Sequence, residues 1–160
     1  MWWGTLWRPL MRFGMPIVKE IKQHKILLDT HVWIWLAQGN SIVSPSARKA
    51  IDRARENEHL YISPISVWEI SMLVERKKII LEMDIMDWLK HWIELPGIQI
   101  AELTFQVAIL SNRLPGNIHG DPADRILIAS AFEEKALLVT ADEKILQFSK
   151  EPFISAYDPT

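Results

Sequence analysis

Four short apolar segments, spaced along the chain, constrain the fold more than any other feature of the sequence. They read KILLD at 25–29, LYIS at 60–63, IQIAEL at 98–103 and LLVTA at 137–141. Each is followed by a longer stretch with helical features. Short, continuously apolar strands are typical of a parallel sheet that helices cover on both faces. The pattern therefore predicts an α/β fold with a central parallel sheet.

The segments between these strands carry helix start signals, helix stop signals and amphipathic spacing. They predict helices from Thr30 to Gln38, from Ser44, from Ser66, over 85–93, 104–113 and 124–136, and from Asp142. The glycines and prolines of PGNIHGDP at 115–122 predict a loop, and the tail is a candidate edge strand. In a fold of this kind, functional sites lie at the carboxyl ends of the strands, where the strand order reverses.

The size and composition of the chain indicate one folded domain. Its 160 residues contain no cysteine and carry a net charge of −2, which excludes thiolate sites and favours a cytoplasmic protein without a global basic surface. The tryptophan-rich start is broken by Arg8, Pro9 and Arg12, so it lacks a segment suited to a signal peptide or a membrane span. We expect residues 1–24 to be a poorly ordered extension or the product of a misassigned start, and residues 25–160 to form the domain. The alternative for the extension is an aromatic arm that docks on a membrane surface or a partner.

Four acidic residues follow the predicted strands or begin the helices after them. They are Asp29, Glu69, Asp124 and Asp142. Each of them has an ordinary structural explanation. Glu69 follows Ser66 at capping-box spacing, Asp124 suits the dipole of its helix, and Asp142 and Asp29 could cap the helices that follow them. This explanation is weakest for Asp29, since an aspartate inside an apolar run is costly unless its charge is compensated.

The expected positions of these acids favour a metal site. The ends of parallel strands share one edge, so Asp29, Glu69 and Asp142 are expected to face a common cleft, which Asp124 joins if its helix starts at that edge. Carboxylates gathered in one place raise each other's pKa unless a cation is bound. Oxygen ligands without cysteine or paired histidines favour Mg²⁺ or Mn²⁺. Such an ion beside a phosphodiester supports metal-assisted hydrolysis.

Four stretches around these acids resemble the acidic motifs of the PIN domain family and, within it, of the VapC-like toxins of bacterial and archaeal toxin–antitoxin pairs. They are LLDTHVWIWL at 27–36, SPISVWEIS at 63–71, HGDPADRILIASA at 119–131 and LLVTAD at 137–142. The stretches follow the family's order and usual spacing, and the match runs from about residue 25 to the tail. The resemblance implies a three-layer α/β/α sandwich with a central parallel sheet.

The resemblance also implies a Mg²⁺- or Mn²⁺-dependent endoribonuclease toxin, often a homodimer, that cuts RNA and is inhibited by a small antitoxin inserted into the active-site groove. Carried over residue by residue, the catalytic and metal-holding acids are Asp29, Glu69, Asp124 and Asp142. Thr140 supplies a hydroxyl near Asp142, with Thr30 and Asp121 also close to the acids. Asp121 is the rival for the third acidic position. Asp124 is preferred because it directly precedes the apolar run RILIASA.

Several basic residues near the motifs are candidates for contacts with RNA phosphates. Arg125 lies beside Asp124, Arg113 precedes the loop, and a basic cluster occupies 76–78. Each is equally well explained as a solvated surface charge.

The histidines and tryptophans near the motifs do not need a catalytic role. His31 and His119 flank the acidic motifs, but metal-assisted hydrolysis does not depend on a histidine base. Trp33, Trp35 and Trp68 lie in apolar runs, which favours core or dimer packing over base stacking.

Two other functions fit some of the same residues. A phosphatase of the haloacid dehalogenase type also begins with an aspartate after its first strand, but that class needs a second acid two residues later, where this chain has His31. A regulatory or binding module would hold Mg²⁺ with these acids and would not cleave RNA.

Overall fold

A computed structural model describes residues 25–115, 121–149 and 153–160. These residues form a five-stranded sheet in the order β3-β2-β1-β4-β5, with every neighbouring pair parallel. The strands are β1 (Ile26–Leu28), β2 (Leu60–Ile62), β3 (Ile98–Ile100), β4 (Leu137–Val139) and β5 (Ser155–Tyr157). The order runs outward from β1 in both directions, so the reversal of strand order falls between β1 and β4. This all-parallel sheet confirms the predicted fold class.

Helices connect the strands and cover both faces of the sheet. They are α1 (Thr30–Ala37), α2 (Pro45–Glu56), α3 (Pro64–Glu75), α4 (Ile85–Ile93), α5 (Phe105–Ser111), α6 (Pro122–Glu134) and α7 (Glu143–Phe148). Successive residues of a strand point to opposite faces. Accordingly, Ile26 and Leu28 belong to one buried apolar cluster, whereas Leu27 belongs to another. The sheet is thus the middle of three layers, with a core on each side.

The predicted elements are present, with shifts at their ends. The helix after β2 begins at Pro64 with Ser63 as its cap, so the predicted start at Ser66 is wrong. The hydroxyl of Ser63 accepts a hydrogen bond from the Ile65 N–H at 3.3 Å, and proline fits the first helical position because it has no N–H to satisfy. The late apolar helix α6 begins at Pro122, two residues earlier than predicted, for the same reason. The tail does add an edge strand, β5.

Four helices end in the same hydrogen-bonded turn. In α1, α2, α3 and α6, the residue after the C-cap, or the C-cap itself, has a positive φ: Gly39 at 64°, Glu58 at 58°, Lys77 at 54° and Lys135 at 53°. In each turn, this residue and the next one donate their N–H groups back to carbonyls of the last helical turn. This is the Schellman arrangement, which usually employs glycine because a side chain is unfavourable at positive φ.

The tryptophans do not share one environment. Trp33 is fully buried in α1 and lies beside the rings of Trp88 and Trp92, with ring centroids 5.0 and 6.0 Å away. Trp35 is partly buried against the same core. Trp68 is 56% exposed, so the core alternative is wrong for this residue and its role in a dimer stays a prediction.

The predicted boundary between the extension at 1–24 and the domain coincides with the start of the described residues. Residues 1–24, for which we predicted an extension, are outside the described residues, as are the tip of the predicted loop at 116–120 and His119 within it. None of the helices that the structure describes has the length and apolar character required to cross a membrane.

Candidate active site

The carboxyl ends of β1 and β4 bring Asp29 and Thr140 together at the reversal of strand order. Leu28 pairs with Val139, and the N–H of Asp29 extends this pairing by donating to the Val139 carbonyl at 3.0 Å. The Thr140 hydroxyl donates to Oδ2 of Asp29 at 2.5 Å. Both residues are buried, with 6% of Asp29 and none of Thr140 exposed. Parallel pairing thus fixes the aspartate where sites of α/β folds are found.

The side chain of Asp29 does not cap the helix that it precedes. Its backbone occupies the cap position of α1, yet its carboxylate makes no capping hydrogen bond. The alternative explanation of Asp29 as a helix cap is therefore wrong. Burial raises the pKa of its carboxyl above the ordinary value, and the hydrogen bond from Thr140 opposes part of that rise. The buried carboxylate of Asp29 therefore does not stabilise the start of α1, and its negative charge needs another explanation.

Glu69 approaches the same place from α3. The Thr30 hydroxyl, at the start of α1, donates to Oε2 of Glu69 at 2.5 Å. Burial raises the pKa of the Glu69 carboxyl, the Thr30 hydrogen bond lowers it, and the charge of Asp29 raises it again. The acid is therefore close enough to Asp29 for the two charges to interact.

The predicted capping box of Ser66 and Glu69 is wrong. Because α3 begins at Pro64, Ser66 lies within its first turn and Glu69 in the second. Ser66 is fully buried, and its hydroxyl has no hydrogen-bond partner among the described residues. Without a cap to complete, the Glu69 side chain turns to Thr30.

The structure separates the two candidates for the third acidic position. Asp121 is exposed and caps α6, since its Oδ1 accepts from the Ala123 N–H at 2.9 Å. Asp124 lies in the first turn of the helix and is partly buried. Its pKa is raised to about 6 by burial and then by the charges of Asp142, Asp29, Glu69 and Asp121, in that order. The start of α6 therefore does reach the sheet edge, and Asp124 interacts with every other acid of the predicted site.

Asp142 is both a helix cap and a neighbour of Asp29. Its Oδ1 accepts from the N–H groups of Lys144 and Ile145 at 2.8 and 3.0 Å, which confirms the predicted cap of the last helix. Its own N–H donates to the Thr140 hydroxyl at 2.9 Å. Thr140 therefore accepts from Asp142 while it donates to Asp29, so one hydroxyl fixes the relative positions of the two acids.

Together, Asp29, Glu69, Asp124 and Asp142 form the acid cluster. Burial raises the pKa values of Asp29, Glu69 and Asp124, and repulsion from other acids of the cluster adds to the rise. A divalent cation would relieve the repulsion, and the oxygen donors suit Mg²⁺ or Mn²⁺. As the side chains stand, no three acids or histidines of the described residues converge closely enough to hold one ion. Mg²⁺ fits nevertheless, because it commonly uses one or two carboxylates and completes its shell with water.

The two arginines predicted to contact RNA have different surroundings. The Nε of Arg125 donates to the carbonyl of Ser111 at 2.8 Å, which ties the first turn of α6 to the end of α5. This contact gives Arg125 a structural role beside Asp124. Arg113 is exposed just after α5. RNA contact by either residue stays a prediction.

A groove beside the acid cluster was not recognised as a unit in the sequence. It has a volume of about 470 Å³ and lies between α1 and α3; we call it the α1–α3 groove. Its lining consists of His31, Ile34, Trp35, Gln38, Asn40, Leu73, Arg76, Lys78 and Ile79. The basic cluster at 76–78 was the only sequence signal for it, because the groove depends on how two helix ends pack.

Comparisons with known proteins agree with this architecture. The PIN domain model matches residues 26–151. Ribonuclease VapC22 of Mycobacterium tuberculosis is 34% identical over 120 residues, which cover 75% of this chain and 88% of the relative.

Two solved structures have a similar fold. The VapBC2 structure from Rickettsia felis, bound to a promoter DNA fragment, has a TM-score of 0.59 at 19% identity and covers 82% of this chain and 96% of its own. The DNA-bound VapBC structure from Salmonella typhimurium has a TM-score of 0.60 at 17% identity, with coverages of 86% and 100%. At such identities, the similarity concerns the fold.

Proposed function

The chain belongs to the PIN domain family, and from this we propose that it is a metal-dependent endoribonuclease, the toxin of a toxin–antitoxin pair. The observation that carries the proposal is the acid cluster: a buried aspartate and three further acids near the reversal of strand order, none of which forms an ion pair with a lysine or arginine of the described residues. Gathering these negative charges destabilises the fold, and a bound cation would remove that cost. The related Mycobacterium tuberculosis protein is named a ribonuclease, which supports RNA as the substrate.

In this proposal, the residues of the cluster have separate tasks. When bound, Mg²⁺ or Mn²⁺ would lower the pKa of a water molecule and neutralise charge on the phosphate. Asp29 and Asp142 would hold the ion, and Thr140 fixes the Asp29 carboxylate relative to the backbone of Asp142. Glu69 is oriented by Thr30. Asp124, which interacts with every other acid of the cluster, would add a further carboxylate beside the ion and the attacking water.

The proposed partners follow from the same relatives. The solved structures with this fold include toxin–antitoxin complexes, which supports a small antitoxin as the inhibitor of this chain. We further propose a homodimer that acts on RNA in the cytoplasm.

The test compares RNA cleavage by the wild type and by Asp29→Asn with and without metal. We expect wild-type cleavage with Mg²⁺ or Mn²⁺, its loss in EDTA, and a decrease of at least about a thousandfold in Asp29→Asn, because amide oxygens carry no charge to hold the ion. Asp52→Asn is the matched control, since Asp52 is exposed on α2 and outside the cluster.

Circular dichroism of both variants separates lost chemistry from lost folding. Cleavage that EDTA leaves unchanged would overturn the metal-dependent mechanism. Metal binding by a folded wild-type protein that does not cleave RNA would favour the regulatory module instead.

A further inference from the structure

The α1–α3 groove is lined by the same two helices that carry Thr30 and Glu69 at the acid cluster. His31 lines the groove and follows Asp29 by two residues, within the first turn of α1. On α3, Leu73 lies one turn beyond Glu69, and Arg76 follows three residues later. At 1.5 Å per residue, the far end of the groove is roughly 10 Å from Glu69, about one or two nucleotides of an extended strand. A chain bound at the acids would therefore continue into the groove.

The groove has the opposite electrostatic character to the acid cluster. Arg76 and Lys78 are exposed at its edge, and neither side chain forms an ion pair or hydrogen bond within the part of the chain that we describe. The lining residues include no aspartate or glutamate. Trp35 and Leu73 provide apolar surface between the helices. This combination of an aromatic ring and free cations is typical of sites for single-stranded nucleic acid.

The two helix ends present their side chains to the groove in a matched way. Both α1 and α3 end in the Schellman turn described above. The C-cap and the second residue after it line the groove in each case: Gln38 and Asn40 from α1, and Arg76 and Lys78 from α3. Lys77, between the two cations, adopts the left-handed conformation and is not part of the lining. The turn therefore selects which two cations of the basic cluster border the groove.

We propose that the α1–α3 groove is a subsite for one nucleotide of single-stranded RNA adjacent to the phosphodiester at the acid cluster. The base lies against Trp35, and Arg76 and Lys78 bind the flanking phosphates. This subsite rests on the proposed ribonuclease function. A purely structural explanation is that the two cations interact favourably with the C-terminal end of α3. That explanation predicts an effect on folding alone and none on RNA.

The phosphate contacts are tested with the full chain and a short mixed-sequence oligoribonucleotide, 2′-O-methylated against cleavage and labelled for fluorescence anisotropy in Ca²⁺. We expect the double variant Arg76→Gln/Lys78→Gln to raise Kd about tenfold or more. The slope of log Kd against log salt should fall by about 1.4, since each phosphate contact on a single strand contributes about 0.7. Lys77→Gln is the matched control and should leave Kd within about twofold. Thermal unfolding measures any structural effect of the substitutions.

The base contact is tested by removing the base at each position of the oligoribonucleotide in turn. In the wild type, one abasic position should raise Kd about fivefold or more, because stacking of a base on an aromatic side chain contributes about 1 to 3 kcal/mol. In Trp35→Leu, the same abasic position should cause little further loss. The leucine keeps apolar contact with the core, and circular dichroism checks that the variant folds.

The outcomes distinguish this subsite from the proposed function. If the double variant binds RNA as tightly as the wild type does, the subsite is wrong even though unmodified RNA is still cleaved. The same conclusion follows if RNA affinity is unchanged while affinity for a small protein partner falls, because the groove would then be a protein-docking surface. If the variants lose RNA affinity but the wild type cleaves no RNA, the subsite stands and the ribonuclease proposal fails.

Discussion

At the scale of single residues, two threonine hydroxyls organise the acid cluster. Thr140 links Asp29 to Asp142, and Thr30 holds Glu69. A hydroxyl can satisfy one lone pair of a carboxylate without neutralising its charge. The acids are therefore oriented and still carry the negative charge that a cation requires.

The first prediction concerns the two acids of the DPAD motif. Asp124→Asn should lower RNA cleavage by at least about a hundredfold, because it removes a charge that interacts with the whole cluster. Asp121→Asn should change cleavage less than about threefold and leave stability nearly unchanged, because asparagine is an equally good cap. Initial cleavage rates and thermal unfolding of both variants provide the measurement. Equal losses of activity would mean that the third acid is assigned wrongly.

The second prediction concerns the stability of the metal-free protein. The pKa of Asp124 is raised to about 6, and the pKa values of Asp29 and Glu69 are also raised. The folded state therefore binds more protons than the unfolded state does between about pH 4 and pH 6. It follows that these groups reduce the free energy of unfolding as pH rises through that range. In EDTA, Tm should be lower at pH 7.5 than at pH 5.

Two controls test whether the acid cluster causes this pH dependence. Asp124→Asn should flatten the curve and raise Tm at pH 7.5. Added Mg²⁺ should raise Tm at pH 7.5 and have much less effect at pH 5, where protons compete with the ion. A metal-free Tm that increases from pH 5 to pH 7.5 would contradict the expected charge repulsion.

At the scale of elements, three helix ends have a residue that is unfavourable for the backbone conformation found there. Of the four Schellman turns, only the one after α1 has glycine at the positive-φ position. The other three place glutamate or lysine there, at a cost of roughly 1 kcal/mol each. Tertiary packing fixes where these helices end, even though the local residue opposes the turn.

The third prediction uses this strain. Lys135 is exposed, with φ at 53°, so Lys135→Gly should stabilise the protein by about 1 kcal/mol. Glu133→Gly, two residues earlier and inside α6, should destabilise it by about the same amount, because glycine is unfavourable within a helix. Urea unfolding measures both changes. If both substitutions change the free energy of unfolding in the same direction, the backbone at Lys135 is not strained.

At the scale of the whole molecule, much of the architecture could be predicted from the sequence, whereas the contacts at the site could not. The strands were recognisable because all three residues of β1, and of β4, are buried and therefore apolar. The predicted start of α3 is wrong because serine is a good cap at both 63 and 66. Which of the two caps the helix depends on where β2 ends. The pairing of Thr30 with Glu69, and the approach of Asp124, depend on helix packing that no local pattern encodes.

The fourth prediction concerns the toxin proposal as a whole. Expression of the wild type should arrest bacterial growth, and co-expression of a small protein encoded next to it should restore growth. Asp29→Asn should be tolerated without that partner, since it removes the proposed activity and leaves the surface unchanged. Colony counts and an RNA cleavage assay on the purified protein provide the measurement. Healthy growth of cells that contain active enzyme would exclude a toxin.

The pairing of β1 with β4 also determines when during synthesis the acid cluster can be completed. The hydrogen bond between Thr140 and Asp29 joins residues 111 positions apart, and Asp142 lies beyond it. At about 5 to 20 residues per second, the ribosome needs roughly 6 to 20 seconds to proceed from one side of this contact to the other. During that interval, the nascent chain has its first acids but no complete cluster. Under the proposed function, a cell that makes this protein is therefore not exposed to ribonuclease activity until the C-terminal strands have left the ribosome.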